Sequence, residues 1–367
     1  MKSIIYVGMD VHSTSFTLSC YSLRTQSAFA TLKMEPTAKA VKKYLDGIRN
    51  FYEEECTFVC GYEAGCLGYT LFHQLTAMDI KCVIIAPTTI MRKSHEIKTD
   101  RRDAEKLAKV LAYGDYSSVY IPTAQDEAVK EYIRMRDDHK LMFKKNKQQI
   151  LAFCLRHNKH YPNSYWTQTH LRWMSKLEFG GYLQDAFNEY LLTYRQLEEK
   201  IERLDAQIKQ LCEIDDYREK VNKLICFKGI REHTALSLIV ETGDFHRFES
   251  AERYASYLGL VPGERSSNDN QVRLGITKAG NRHLRMLLVE AAQSYSRGAV
   301  SQKSKALKAR QSKASPEAVI YADRAATRLR KKFIKMEFHS KKHNVAKTAV
   351  ARELACFIWG MMTDNIA

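Results

Sequence analysis

Two apolar runs open the chain. "SIIYVGMDV" and "SFTLSCYSL" are rich in β-branched and aromatic residues and are separated only by "HST", which predicts an antiparallel β-hairpin. A helical period follows over residues 37–51, and "CTFVCGYEA" then predicts a strand ending at Glu63. "GYTLFHQLTAMD" again has helical period, whereas "KCVIIAP" is a short, buried-type strand stopped by Pro87. A further helix begins near Asp100 in "IKTDRRDAEKLAKVL", and "SVYIP" supplies one more short strand or connector. Residues 1–125 are therefore expected to form an α/β domain.

Residues 126–222 read as helical throughout. Phe187, Tyr190, Tyr194, Leu197, Ile201, Leu204, Ile208 and Leu211 recur at alternating steps of three and four, an uninterrupted a/d seam with charges between. A 3.5-residue repeat held this long predicts an interhelical coiled coil, whose partner helix lies in the same chain or in a second subunit. The plainer alternative is a single amphipathic helix packed on its own domain. Residues 223–367 are expected to form a third, mostly α-helical domain. In it Gly229 makes a short turn, a loop-rich insert covers "YLGLVPGERSSNDNQVRLGITKAG", and a helix resumes near Lys278. "AVARELACFIWGMM" is an apolar helix that should dock onto a core.

Apolar content of 45% and charged content of 27% are ordinary for a globular chain of 367 residues, but a net charge of +16 is not. Residues 1–125 are near balance, with 15 Lys/Arg against 13 Asp/Glu. Residues 128–180 carry 11 against 4, and residues 297–348 carry 15 against 3. Positive charge gathered into two blocks is the footprint of a polyanion partner, most simply nucleic acid; a solvated basic surface is the alternative. The nine cysteines include no zinc-spaced set, and Cys56, Cys60 and Cys66 flank a strand as buried thiols do, which predicts reduced cysteines in a cytosolic protein. Asp10 interrupts the first apolar run too early for a signal peptide, and "LACFIWGMM" is too short for a membrane span. No membrane association is expected.

Four carboxylates carry the candidate chemistry. Asp10 lies in the first strand, Glu63 at the end of a later one, and Asp100 and Asp103 at a helix start. Strands of one sheet can bring Asp10 beside Glu63, and residues three apart on a helix share a face. Clustered carboxylates repel unless a cation neutralises them, and all-oxygen ligands suit Mg²⁺ or Mn²⁺. Two such ions ~4 Å apart would stabilise the entering and leaving oxygens of a phosphodiester displacement. This arrangement is that of the RNase H-like (RuvC-like) nuclease fold. The competing reading makes Asp100 the helix N-cap and Asp103 a favourable charge in the first turn. His12, on the same strand face as Asp10, could support the metal ligands from beside them, but the expected role is structural.

"YVGMDVH", "GYEAG", "KTDRRDAEKLA", "GLVPGERSS", "RLGITKAGNRHLR" and "AVARELACFIWGMM" together give the chain a family likeness. It resembles the insertion-sequence transposases that pair an N-terminal RuvC-like DEDD domain with a C-terminal serine-bearing transposase domain. These are the bridge-RNA-guided recombinases, similar also to the Piv-type DNA invertases. The motifs span nearly the whole chain in the family's order. The resemblance implies that the family's four acidic residues are Asp10, Glu63, Asp100 and Asp103, and that its nucleophile is Ser267 or, failing that, Ser266. Two motifs depart from the family: "NDN" follows the serines where many members have glycine, and "CFKGIREHTA" lacks the proline and second glycine of a Pro-Gly-Ile-Gly hairpin.

The chemistry so implied is attack of the Ser267 hydroxyl on a DNA phosphodiester, leaving a phosphoserine link and a free 3′-hydroxyl. Carboxylate-bound Mg²⁺ or Mn²⁺ would assist. Implied partners are donor and target duplex DNA, a guide (bridge) RNA that reads both by base pairing, and further copies of the chain, from dimer to tetramer. The implied place of action is the bacterial cytoplasm, on the nucleoid. Arg273, Lys278, Arg282 and Arg285 flank the serines, and the last three have the spacing of one helix face, a phosphate grip if they are not in surface salt bridges. Alternatives are a RuvC-like Mg²⁺-dependent junction nuclease that uses water, and a non-catalytic nucleic-acid scaffold.

Overall fold

The computed structural model describes residues 3–51, 55–65, 67–87, 99–267, 270–300 and 302–366, with the side chains of residues 265–273 outside the described residues. The chain divides into two compact units, Met1–Ile121 and Pro122–Ala367.

In the first unit, β1 (Ser3–Val11) and β2 (Phe16–Ser22) form the expected antiparallel hairpin, with Val7 opposite Cys20. A third strand, β3 (Ser27–Met34), pairs antiparallel with β2. The sequence pattern does not predict it, for a physical reason: β3 is an edge strand with no buried residue, so its side chains carry no apolar alternation. After α1 (Ala38–Phe51) come β4 (Cys56–Glu63), α2 (Thr70–Thr76) and β5 (Lys81–Ile85). The two later strands add in parallel, giving the order β3-β2-β1-β4-β5. "SVYIP" contributes a single bridge, Ser118 to Ile85.

Strand alternation sorts the two faces of this sheet. Ile5, Val7, Met9, Phe58, Cys60 and Tyr62 pack with Val41 and Leu45 of α1 and Leu71 and Leu75 of α2. The opposite face takes α3 (Asp100–Tyr113), whose Leu107 and Leu111 pack with Tyr6 and Ile85. Contact there is unusually close. A Cβ on Gly8 would lie 2.2 Å from the Ala104 carbonyl oxygen and 2.2 Å from the Ala108 amide nitrogen, and one on Gly61, its partner across the ladder, 2.8 Å from Leu111. Gly8→Ala is therefore expected to cost ~1–3 kcal/mol by overpacking, so that hydrogen exchange of the α3 amides accelerates roughly 5- to 150-fold. Unchanged exchange would mean that α3 is not seated on Gly8.

In the second unit, α4 (Ala124–Arg156) and α6 (Tyr182–Cys212) form a long antiparallel pair, with α5 (Gln168–Met174) at one end. Phe143, Ile150 and Phe153 of α4 pack with Phe187, Tyr194 and Ile201 of α6, while Val129 and Ile133 share a core with Ile208 and Cys212. The heptad seam is thus covered by α4 of the same chain. Its burial asks nothing of a second subunit. Arg136 fixes the register with two hydrogen bonds to Asp205, at 2.6 and 3.0 Å.

The rest of the unit is α7 (Asp215–Leu224), α8 (Glu232–Thr242), α9 (Ala251–Tyr257), a hairpin of β6 (Pro262–Ser267) and β7 (Asn270–Ile276), and α10 (Arg282–Ala292). Then come α11 (Lys305–Gln311), α12 (Pro316–Phe338) and α13 (His343–Met362). The insert expected to be loop-rich is this hairpin. The basic segment 297–348 is largely helical, and α13 buries Val350, Leu354 and Ile358 in the core as its apolar sequence requires. No described helix is long and apolar enough to cross a membrane. All eight described cysteines are unpaired; Cys66 lies outside the described residues.

Candidate functional site

The face of α3 that docks on the sheet continues upward as acid. Ala108 and Ala104 lead by steps of four to Asp100, and Leu111 and Leu107 lead to Asp103. The stripe that is apolar over the sheet therefore becomes two carboxylates one turn beyond it. Asp10 lies on the α3 side of β1, two residues past Gly8, and Glu63 lies on the same side of β4, two residues past Gly61. Met9 pairs with Tyr62, so Asp10 and Glu63 occupy the next rung, at the carboxyl ends of adjacent parallel strands.

The helix cap bears on the capping reading of Asp100. Thr99 is the N-cap: its backbone is extended and its hydroxyl accepts from the Arg102 amide at 3.3 Å. Asp100 is instead the first helical residue, so the competing reading that makes it the cap does not hold. Its carboxylate is free of that duty, and Lys33 Nζ lies 3.3 Å from its Oδ2.

Candidate ligand atoms of Asp10, His12 and Asp100 all lie within 4.8 Å of one another. Asp10 is the most enclosed of these. Its side chain is 18% exposed, and Oδ2 is buried without a hydrogen-bond partner, because His12 Nε2 approaches to 3.3 Å but off the hydrogen-bonding direction. Burial raises the Asp10 carboxyl above its usual range, His12 opposes this, and the negative charges of Asp100 and Asp103 raise it further. An orphaned carboxylate oxygen facing two more carboxylates is short of positive charge, which is what a divalent cation supplies. The residues fit such an ion. His12 belongs to the tight group, whereas Glu63 and Asp103 stand outside it. The Asp-x-His spacing on one strand face was the available signal for His12.

The second unit carries the serines. Ser266 and Ser267 end β6, opposite Gln271 and Asn270; Asn268 and Asp269 between them lie outside the described residues, as do the side chains of both serines and of Arg273. The hairpin root is tightly made. Gly280 takes φ of +90°, and a Cβ there would meet the Tyr257 carbonyl oxygen at 1.9 Å. Lys278, in the turn with φ of +56°, is not on α10, which starts at Arg282 behind its N-cap Asn281. Lys278, Arg282 and Arg285 therefore do not form one helix face, because the Gly280 turn and the Asn281 cap begin the helix later than the spacing suggests. Arg285 turns inward and donates to the Leu258 carbonyl oxygen at 2.9 Å.

Asn281 also ties this root to a buried charge network absent from the sequence reading. Its Nδ2 donates to Glu241 Oε2 at 2.8 Å, and Arg134 grips the same carboxylate at 2.8 and 3.0 Å. His283 Nε2 lies 2.8 Å from Asp137 Oδ2 and its Nδ1 3.2 Å from Glu241 Oε1; His233 Nε2 lies 2.9 Å from Asp137 Oδ1. Against burial, the contacts of His283, Arg134 and Asn281 lower the Glu241 carboxyl to about 2. Against burial likewise, Asp137 and Glu241 raise His283 to about 9. No local pattern announces a network whose directly bonded members stand up to 146 residues apart.

Comparison with known proteins finds family matches in both units. Residues 222–308 match the family described as Transposase IS116/IS110/IS902, and residues 7–157 match the DEDD transposase model of the IS110 group. The chain is 31% identical to the transposase for insertion sequence element IS1533 of Leptospira borgpetersenii, over 93% of this chain and 99% of that one. It is 26% identical to the transposase for IS1328 of Yersinia enterocolitica, over 80% of this chain and 85% of that one. The transposase for IS1111A of Coxiella burnetii is 23% identical, over 62% of each chain.

Proposed function

The chain belongs to the IS116/IS110/IS902 family of insertion-sequence transposases, and we propose that it cuts and rejoins DNA through a covalent link to Ser267, assisted by a carboxylate metal centre on the first unit. In this reading the five-stranded sheet is RNase H-like, and Asp10, Glu63, Asp100 and Asp103 hold Mg²⁺ or Mn²⁺ with His12 beside them. A cation bound there would offset the charge of the attacked phosphate and of the leaving oxygen. Ser267 Oγ would attack phosphorus, the P–O3′ bond would break, and the serine proton would pass to solvent or a base as the 3′-oxygen leaves to become a hydroxyl. The phosphoserine diester keeps one phosphodiester in place of another, so a second 3′-hydroxyl can reverse the step without ATP. Guidance by an RNA, assembly into dimers or tetramers, and a division into domains at residues 1–125, 126–222 and 223–367 complete the proposal, with Ser266 as the alternative nucleophile.

The observation that supports the metal centre is the buried, unpartnered Asp10 Oδ2 among Asp100, Asp103 and His12. The test is incubation with guide RNA, duplex DNA and Mg²⁺ or Mn²⁺, followed by denaturing gels for protein–DNA adducts. Wild type should form the adduct and Ser267→Ala should not. An adduct formed by Ser267→Ala moves the nucleophile elsewhere, and cleavage by wild type without any adduct favours a water-using junction nuclease.

A further inference from the structure

A cavity of about 410 Å³ opens in the second unit between the α7–α8 turn, Ser294, Gly298, residues 302–304 and α11. Its walls carry Lys228, Arg231, Lys303 and Arg310, with the hydroxyls of Ser294 and Ser304. These cations are poorly compensated. Burial, then the nearby Arg330, lowers the Lys228 ammonium, and burial, then Arg231, lowers the Arg310 guanidinium. Lys303 pairs with Asp323. Lys228 and Arg310 donate to backbone carbonyl oxygens of Arg297 and Ile225, at 3.2 Å in each case. Arg231 has no side-chain hydrogen bond or ion pair among the described residues, and it is exposed at the rim. Positive groups held together against their own repulsion, around a hollow lined with hydroxyls, are arranged for an anion that relieves it.

The shape narrows the anion. A duplex ~20 Å across presents its phosphates on a convex surface and cannot enter such a hollow, whereas one nucleotide of an unpaired strand can. No aromatic side chain among the described residues lines the cavity, so the recognition they offer falls on phosphate rather than on a stacked base. We propose that this cavity holds the phosphate of a single-stranded nucleic-acid segment, without base preference. The proposal rests on the transposase reading, in which strands are parted, but it assigns a site that neither the carboxylates nor the serine hairpin supplies.

The test is binding of the full-length protein to fluorescent single-stranded DNA, single-stranded RNA and duplex DNA over a salt series. Arg231→Gln and Lys228→Gln should each weaken single-strand binding ~5- to 10-fold and lower its salt slope by about 1, equally across base sequences, while duplex binding stays unchanged. DNA and RNA arms separate the two sources of the strand. Lys228→Gln can loosen the 297 backbone, but Arg231→Gln removes no protein contact, so its result stands alone. Single-strand affinity unchanged in Arg231→Gln, or duplex affinity lost in parallel, overturns the proposal. So does stabilisation by inorganic phosphate alone with no strand bound, which would mark a free-anion site. A wild type that binds no nucleic acid at all overturns both this site and the proposed function, so the two failures are distinguishable.

Discussion

Asp10→Asn is expected to abolish DNA strand cleavage while leaving the fold as stable as before, or more so. The loss should be on the order of 10³-fold, equivalent to ~4 kcal/mol of transition-state stabilisation, if the carboxylate holds a divalent cation at the reacting phosphate. The stability half follows from the raised carboxyl. Its folded-state value lies above the ordinary 3.8, so the folded state favours the protonated form. The contribution is full below that ordinary value and is lost as pH rises through the folded value. At neutral pH the charged Asp10 therefore costs stability, through burial and through repulsion by Asp100 and Asp103. Asparagine removes the charge and keeps the shape. A further readout needs no DNA: Mn²⁺ or Mg²⁺ should raise the melting temperature of wild type and not that of the variant, since an ion that binds only the folded state stabilises it. Equal metal-induced shifts in the two proteins would take Asp10 out of the ligand set.

Glu241→Ala should strongly destabilise the second unit, by ~3–5 kcal/mol, because it removes the buried carboxylate on which a cation, a histidine and an amide converge. The Glu241 side chain is 3% exposed, and its removal takes one partner each from Arg134, His283 and Asn281. Chemical denaturation with a probe in the second unit measures it; a midpoint equal to wild type would show that the network is dispensable. The same network sets a pH window. His283 is raised from 6.5 to about 9, so its stabilisation is full below 6.5 and is lost as pH rises through about 9. Glu241 is lowered from 4.5 to about 2, so its stabilisation is full above 4.5 and is lost as pH falls through about 2. The unit should be most stable between about 4.5 and 6.5, and the alkaline slope should shrink in Glu241→Ala, where His283 keeps only Asp137. The serine hairpin should lose order with it, since Asn281 joins its root to Glu241.

What the sequence determined by itself is whatever repeats locally. Short apolar and β-branched runs located β1, β2, β4 and β5, helical periods located the early helices, and the heptad seam located the face of α6 that α4 covers. The placement of Asp10, Glu63, Asp100 and Asp103 was legible because each sits at or near the end of such an element, where the pattern itself breaks. Where the signal is weak, as in the exposed edge strand β3 or the polar β6–β7 hairpin, backbone hydrogen bonding forms a strand that side-chain alternation does not announce.

Only the tertiary structure decided which groups meet. It gave the cap of α3 to Thr99 and released Asp100, drew His12 to Asp10, and began α10 after Lys278. It also joined Arg134, Asp137, His233, Glu241 and His283, and gathered the cations of the α7–α8 turn and α11 around a cavity. The physical reason is common to all of these. Periodicity records which side of an element faces the core, but a site forms where elements distant in sequence bring their ends within a few ångströms. Charge and hydrogen bonding at that range depend on the packing, as with the approach of α3 to Gly8, and no short stretch of sequence encodes it.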